Sequence, residues 1–179
     1  MAEKKKTTGR IKAIKKELDG IIFDSTTEAN YYEYLKEELA KGNIVSFELQ
    51  PEYLLQEGFK KNGKIIRPIK YIGDFLITDN TGYTYVVDVK GFQTDDFKIK
   101  HKMFDYKYPE LELRLIAYDL VTEQWMDYKE HRKLVNARKK ERAAAKAEKD
   151  KLKAQKKLER ERKKAEKAAA KATKTTKKK

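Results

Sequence analysis

Three side chains raise the question of chemistry in this sequence: Asp74, Asp88 and Lys90. Asp88-Val89-Lys90 closes the apolar run YTYVVDVK, Asp74 opens the preceding run GDFLIT, and Asp79-Asn80-Thr81-Gly82 lies between them. Runs rich in β-branched and aromatic residues around such a turn signal predict a β-hairpin. A three-residue loop, Asn80-Thr81-Gly82, with glycine at the left-handed position, pairs Asp79 with Tyr83. Thr78 then faces Thr84, Leu76 faces Val86, and Asp74 faces Asp88. Period-two alternation places Asp74, Leu76, Val86, Asp88 and Lys90 on one face, and Phe75, Ile77, Tyr85, Val87 and Val89 on the other, the face expected in the core. Opposed carboxylates repel. A raised carboxyl pKa, an ammonium such as Lys90 or a bound cation offsets that repulsion. An octahedral Mg²⁺ or Mn²⁺, held by a few carboxylates and completed by water, does so more fully than one lysine. A four-residue loop would instead set Asp74 opposite Val87 and remove the facing pair.

Acid-x-Lys alone says little, since it occurs six times in this chain, at Glu3, Asp88, Asp96, Asp105, Asp127 and Glu161. Only the Asp88 copy ends an apolar strand with a carboxylate partner across a hairpin; the competing reading is an exposed strand end with a simple ion pair. The two histidines, His101 and His131, fall in Lys-rich surroundings and form no Ser/His/Asp arrangement.

The elements that must position these residues are legible in outline. FDSTTEANYYEYLKEELAKGN predicts a helix: Ser25 and Glu28 form a capping box, Tyr31, Tyr32, Leu35 and Leu39 an apolar stripe, and Gly42 the stop. IVSFELQ, YLLQEGF and IIRPIKYIGDFLIT are strand-like, with a Gly-containing turn at Lys61 to Lys64. Thr94 caps a second helix that has Asp95 and Asp96 in its first turn and stops before Pro109, and LELRLIAYD follows as a further strand. Helix, several strands, helix, strand implies an α/β or α+β domain around a mixed sheet.

With 179 residues, 39% of them hydrophobic, the chain suits one modest domain. It has no cysteine, so disulfides and thiolate metal sites are excluded. No apolar run approaches the roughly 18 residues needed to span a bilayer, and the basic start MAEKKKTTGRIKAIKK has no apolar segment behind it, so the expectation is a cytoplasmic protein with no membrane partner. The net charge of +14 is concentrated at the ends: 22 Lys and Arg against 6 Asp and Glu from His131 onward, and seven against one in the first sixteen residues. Residues 17–130 carry 14 against 22. The expected organisation is a basic arm (1–16), an acidic globular body (17–130) and a basic Lys/Ala/Glu-rich tail (131–179), helical or disordered, in which Leu134, Val135, Leu152 and Leu158 are too sparse for a coiled-coil seam. Such arms are either solvated extensions or phosphate-binding segments.

Phe23-x-Ser25-x-x-Glu28, Leu49-Gln50-Pro51, Asp74-Phe75, Asp88-Val89-Lys90-Gly91 and Thr94-x-x-Phe97-x-x-Lys100 together resemble the PD-(D/E)XK nuclease superfamily, in a phage-encoded branch related to Holliday-junction resolvases. Gly73-Asp74 stands where that family has Pro-Asp, and the resemblance spans roughly residues 21–118. It implies a restriction-endonuclease-like mixed sheet flanked by helices. It further implies a metal-dependent DNA endonuclease, in the cytoplasm of a bacterial host, that acts on branched DNA such as Holliday junctions, as a homodimer if it follows the junction enzymes. Asp74, Asp88, Glu28 and the Val89 carbonyl would hold Mg²⁺ or Mn²⁺, and Lys90 would orient the attacking water. For Glu28 the capping box is an equal alternative. Gln50 would lie near the site, or be only a strand-end glutamine; Thr94, Lys98, Lys100 and Lys102 would contact phosphates, or form a solvated helix face. Tyr31, Tyr32, Tyr34, Phe47 and Trp125 offer stacking surfaces for unpaired bases, or core. A non-catalytic nucleic-acid-binding protein that keeps the fold is the competing function, and an interaction protein that binds through its basic tail is a third.

Overall fold

The computed structural model describes residues 14–176, with side chains through residue 164. The chain divides into a unit ending at His131 and another starting at Arg132. The first is a mixed α/β unit.

Two short strands, β1 (Lys16–Leu18) and β2 (Ile21–Phe23), pair antiparallel and lead into α1 (Thr26–Ala40). Ser25 caps α1 by accepting from the Glu28 N–H, and Gly42, at a φ of 75°, follows its last turn. Strands β3 (Ile44–Leu49) and β4 (Glu52–Gln56) come next, then β5 (Phe59–Lys61), β6 (Lys64–Ile66), β7 (Ile69–Ile72), β8 (Phe75–Asp79) and β9 (Thr84–Val89). Helix α2 (Asp95–Lys107), capped by Thr94, crosses to β10 (Glu112–Asp119), and β11 (Gln124–Asp127) precedes α3 (Tyr128–Thr176). The main sheet has the order β11-β10-β9-β8-β3, with β9 and β10 parallel and the other neighbours antiparallel.

Both faces of this sheet are core. On one, Tyr31 and Leu35 of α1 pack with Phe75, Ile77, Val87 and Val89. On the other, Phe97 and Phe104 of α2 pack with Tyr71, Val86, Leu113 and Leu115. The sequence pattern assigned only the first face to the core. Parallel strands need a covering crossover, here α2, so β9 is buried on both sides and its alternation fades into a continuous apolar run. Tyr31, Tyr32, Tyr34, Phe47 and Trp125 belong to the first of these two layers, Tyr31 lying edge-on to both Phe75 and Trp125. Tyr31 is buried there, and the other four are partly buried against it.

The β8–β9 ladder has the expected register, Thr78 with Thr84 and Leu76 with Val86, and the loop is the three-residue form, with the Asp79 N–H on the Tyr83 carbonyl and Gly82 at a φ of 86°. The other end departs from expectation. Asp74 is not a rung of the ladder: its N–H donates to the Val87 carbonyl although Phe75 is already Val87's partner. A bend between β7 and β8 therefore brings Asp74 beside Val87 despite the three-residue loop. Its cause lies in Gly73, whose N–H donates to the Pro51 carbonyl where β7 leaves the main sheet to pair with β4. A Cβ at position 73 would come within 2.6 Å of Val86 Cγ1. Only glycine lets the backbone pass that close.

Of the expected basic arm, residues 1–13 lie outside the described residues, and the remainder is engaged. Lys15 pairs with Asp24 at 3.1 Å and Lys16 with Glu33 at 3.5 Å, so these two cations belong to the body. In the second unit the backbone is helical through Thr176, and the described side chains of its apolar residues Leu134, Val135, Leu152 and Leu158 are exposed. No helix among the described residues is long and apolar enough to cross a membrane.

Candidate active site

The site forms where β7 turns into β8 alongside the end of β9. Asp88, the penultimate residue of β9, is 1% exposed. A buried carboxylate needs charge or hydrogen-bond compensation, and Asp88 has both: Tyr71 Oη donates to Oδ2 at 2.5 Å, and Lys90 Nζ lies 2.6 Å from Oδ1. The Lys90 contact is an ion pair without hydrogen-bond alignment, so Oδ1 makes no hydrogen bond among the described residues. The Lys90 ammonium also sits 4.8 Å from the centre of the Phe97 ring, and its backbone N–H is fixed on the Ile116 carbonyl of β10. Lys90 is thus held from three sides: a carboxylate, an aromatic face and the parallel strand.

Asp74 reaches the same strand by another route. Its Oδ2 accepts the Val89 N–H at 2.7 Å. Burial, and then the Asp88 charge, push its carboxyl up to about 8, against the opposing effect of the Val89 N–H. Val89 therefore meets the cluster through its amide N–H.

Glu28 approaches from α1. It is the third residue of the helix, its N–H on Ser25 Oγ at 3.1 Å, and the Ser25 hydroxyl donates back to Glu28 Oε1 at 2.8 Å. Burial raises its carboxyl pKa, and the Ser25 bond partly counters this. Glu28 and Asp74 line one cavity of about 130 Å³ together with Gln50, which adopts the left-handed region at a φ of 49° and whose N–H donates to the Asp74 carbonyl. The cap and the site are one place, so Glu28 serves the helix start while facing Asp74's cavity. A second hollow, of about 290 Å³, is lined by Asp88, Lys90, Thr94, Asp96 and Lys100 together with Lys70 and Tyr71. Of the three α2 lysines, only Lys100 reaches it. Lys98 is paired with Asp95 at 2.8 Å, and Lys102 lines a separate hollow with Leu55 and Met103. Thr94 caps α2 through the Phe97 N–H.

Among the described residues, no three acidic or histidine side chains are gathered around one point as they would be for a metal ion. The expected trio of Glu28, Asp74 and Asp88 is not gathered at one point: Glu28 and Asp74 line one cavity and Asp88 the other hollow. Two carboxylates with water suffice for Mg²⁺. The pair Asp74 and Asp88, all-oxygen, with one Asp88 oxygen lacking a hydrogen bond, fits such a cation. Tyr71 escaped the sequence reading. Its signal was an alternating position in Ile69-Lys70-Tyr71-Ile72, where an inward phenol must find an acceptor.

Residues 8–124 match the model of a family described as a protein of unknown function, DUF1064. The chain belongs to that family. Every residue of the site described above lies inside the matched span. No curated protein matches the chain. Among solved structures it is similar to one titled "Crystal structure of SSO0001", at a TM-score of 0.34 and 19% identity, covering 56% of this chain. The matched region spans 48%, about half, of that protein's length.

Proposed function

We propose that this DUF1064 protein is a divalent-metal-dependent DNA endonuclease of the PD-(D/E)XK type, selective for branched DNA. The observation that carries the proposal is the buried Asp88 carboxylate with the Lys90 ammonium at 2.6 Å, beside an Asp74 carboxyl that burial and Asp88 hold protonated into the neutral range. The order α1, antiparallel β8 and β9, α2, then β10 parallel to β9 supports a restriction-endonuclease-like core.

Asp74 and Asp88 would hold Mg²⁺ or Mn²⁺, which when bound would supply charge neutralisation at the phosphate and a more acidic water. The rest is the work of this chain. Tyr71 fixes one Asp88 oxygen and the Val89 N–H fixes one Asp74 oxygen, leaving the other Asp74 oxygen for ligation; the second Asp88 oxygen, on the Lys90 ammonium, would have to share that contact with the cation. Lys90 places a positive charge where a phosphate's non-bridging oxygen and attacking water would lie, stabilising charge that grows in the transition state. Lys100 lines the same hollow and suits the adjacent phosphate. An acidic body repels DNA, and the basic tail supplies the opposite field.

A binding protein without catalysis is the second reading, favoured by the absence of a preassembled acidic trio among the described residues. The deciding experiment is a nicking assay in Mg²⁺ and Mn²⁺ on four-way junction, flap, single-stranded and linear duplex DNA, with wild type and Lys90→Ala. Cutting that disappears in Lys90→Ala supports the nuclease. Binding without cutting of any substrate by the wild type supports the binding module instead.

A further inference from the structure

Residues 57–68 are exposed without interruption, and none belongs to either core layer. They form the outer part of a two-stranded ribbon. Its inner rungs pair β4 with β7, its outer rungs pair β5 with β6, and Asn62-Gly63, both at positive φ, make the two-residue turn joining Lys61 to Lys64. An isolated hairpin is marginal in water, yet this one displays Phe59, Ile65 and Ile66, with Ile65 82% exposed. Around them stand Lys60, Lys61, Lys64 and Arg67, and residues 58–68 contain no carboxylate. None of the four cations has an acidic partner among the described residues. Without this stretch, residues 17–130 hold ten Lys and Arg against 22 Asp and Glu. The tip is therefore a cationic, apolar finger on an acidic body.

Both strands of the ribbon are rooted in the candidate site. One begins after Gln50 and Pro51, whose backbone bonds Asp74 and Gly73; the other carries Tyr71, bonded to Asp88, one residue before its end. From Tyr71 to Lys64 the strand advances at most about 23 Å at roughly 3.3 Å per residue. A B-DNA major groove admits a two-stranded ribbon, and 23 Å corresponds to about seven base pairs at roughly 3.4 Å each.

We infer that the β5–β6 tip is a DNA-binding arm that enters the major groove of the duplex flanking the site, its lysines and arginine on phosphates and Ile65 against base edges. The inference rests on DNA being the partner, not on the chemistry, so it is tested without cleavage. In EDTA, duplex binding by the full chain is compared with a variant carrying Lys60→Ala, Lys61→Ala, Lys64→Ala and Arg67→Ala; the tail's background is common to both. The tip contributes nothing to either core layer, and a matching circular dichroism spectrum confirms folding of the variant. The expected result is at least tenfold weaker binding, with a salt dependence shallower by about three to four in its logarithmic slope. Because A-form RNA has a major groove too narrow to enter, the loss should be confined to DNA duplex. A fluorophore on Ile65→Cys, the sole cysteine in that variant, should shift its emission on adding DNA duplex and not RNA duplex. Unchanged affinity and slope would overturn the inference. So would equal losses on RNA, or a concentration-dependent dimer that dissociates in the variant while its DNA binding stays intact. If cleavage were absent but the tip effect present, the arm would stand and the nuclease reading alone would fall.

Discussion

Asp74 and Asp79 bracket the same strand, and their surroundings give them opposite characters. Asp79 lies half-buried at the turn end, and its Oδ1 accepts from the Thr81 N–H, the Thr81 hydroxyl and the Tyr83 N–H. Those donors, the Thr81 hydroxyl foremost, hold its carboxyl below the usual range. Asp74 sits at the site end with one backbone donor and a second carboxylate for a neighbour, and its pKa is raised. Several donors on one carboxylate make a permanent anion that organises a turn. Burial beside another acid makes a carboxyl that exchanges a proton for a cation. The two aspartates cannot be told apart by residue type or strand position, only by what surrounds them.

The sharpest way to break this contrast is Asp88→Asn, which removes the charge acting on Asp74 and the partner of Lys90. Metal-dependent cleavage should fall by at least about 100-fold while DNA binding in EDTA changes little. Retained activity would remove the site. Next comes Asp74→Asn, whose amide oxygen can still accept from the Val89 N–H. The protonated Asp74 favours the folded state below its ordinary value of 3.8, and that advantage is lost as pH rises through about 8. The metal-free wild type should therefore lose thermal stability across this window relative to Asp74→Asn, and the rise in Tm on adding Mn²⁺ should grow with pH in the wild type only. A pH-independent difference between the two proteins would contradict the assignment.

Tyr71→Phe tests a smaller effect. Loss of the phenol leaves Asp88 Oδ2 without its donor, and outer-shell partners of ligands are worth about 10- to 100-fold in metal affinity or activity. Titration of Mn²⁺ binding distinguishes this from mere packing, since phenylalanine keeps the ring. The smallest change is expected for Asp79→Asn, a slightly lower urea midpoint from weakened turn bonds, with full cleavage activity. Urea unfolding and the nicking assay, run together, check both halves.

Much of this arrangement could be read from residues alone, and the failures have physical causes. The Asn80-Thr81-Gly82 loop and the Ser25 and Thr94 caps were legible because turn and cap chemistry depends on a few neighbours. The bend at Asp74 was not, since alternation assumes a continuous ladder and a single glycine is the only local sign that a strand leaves it. The burial of Asp88 on a second core face depends on α2, whose position no pattern within β9 records. The helical state of residues 132–176 follows from their Ala, Lys and Glu content, which the sequence could not separate from disorder because so few apolar residues accompany it. Lys98, Lys100 and Lys102 looked equivalent at spacing two, whereas successive pairs on a helix point some 200° apart and only Lys100 faces the site hollow.

The close passage of Gly73 over Val86 makes those two positions one heritable unit. A lineage exchanging this glycine for the proline of the resembling nucleases would lose the amide that bonds Pro51 and drive a ring carbon into a fully buried valine. Val86 would have to shrink first, opening a gap beneath the site that is harmful until the proline arrives. Each single exchange is disfavoured, so positions 73 and 86 can change only together.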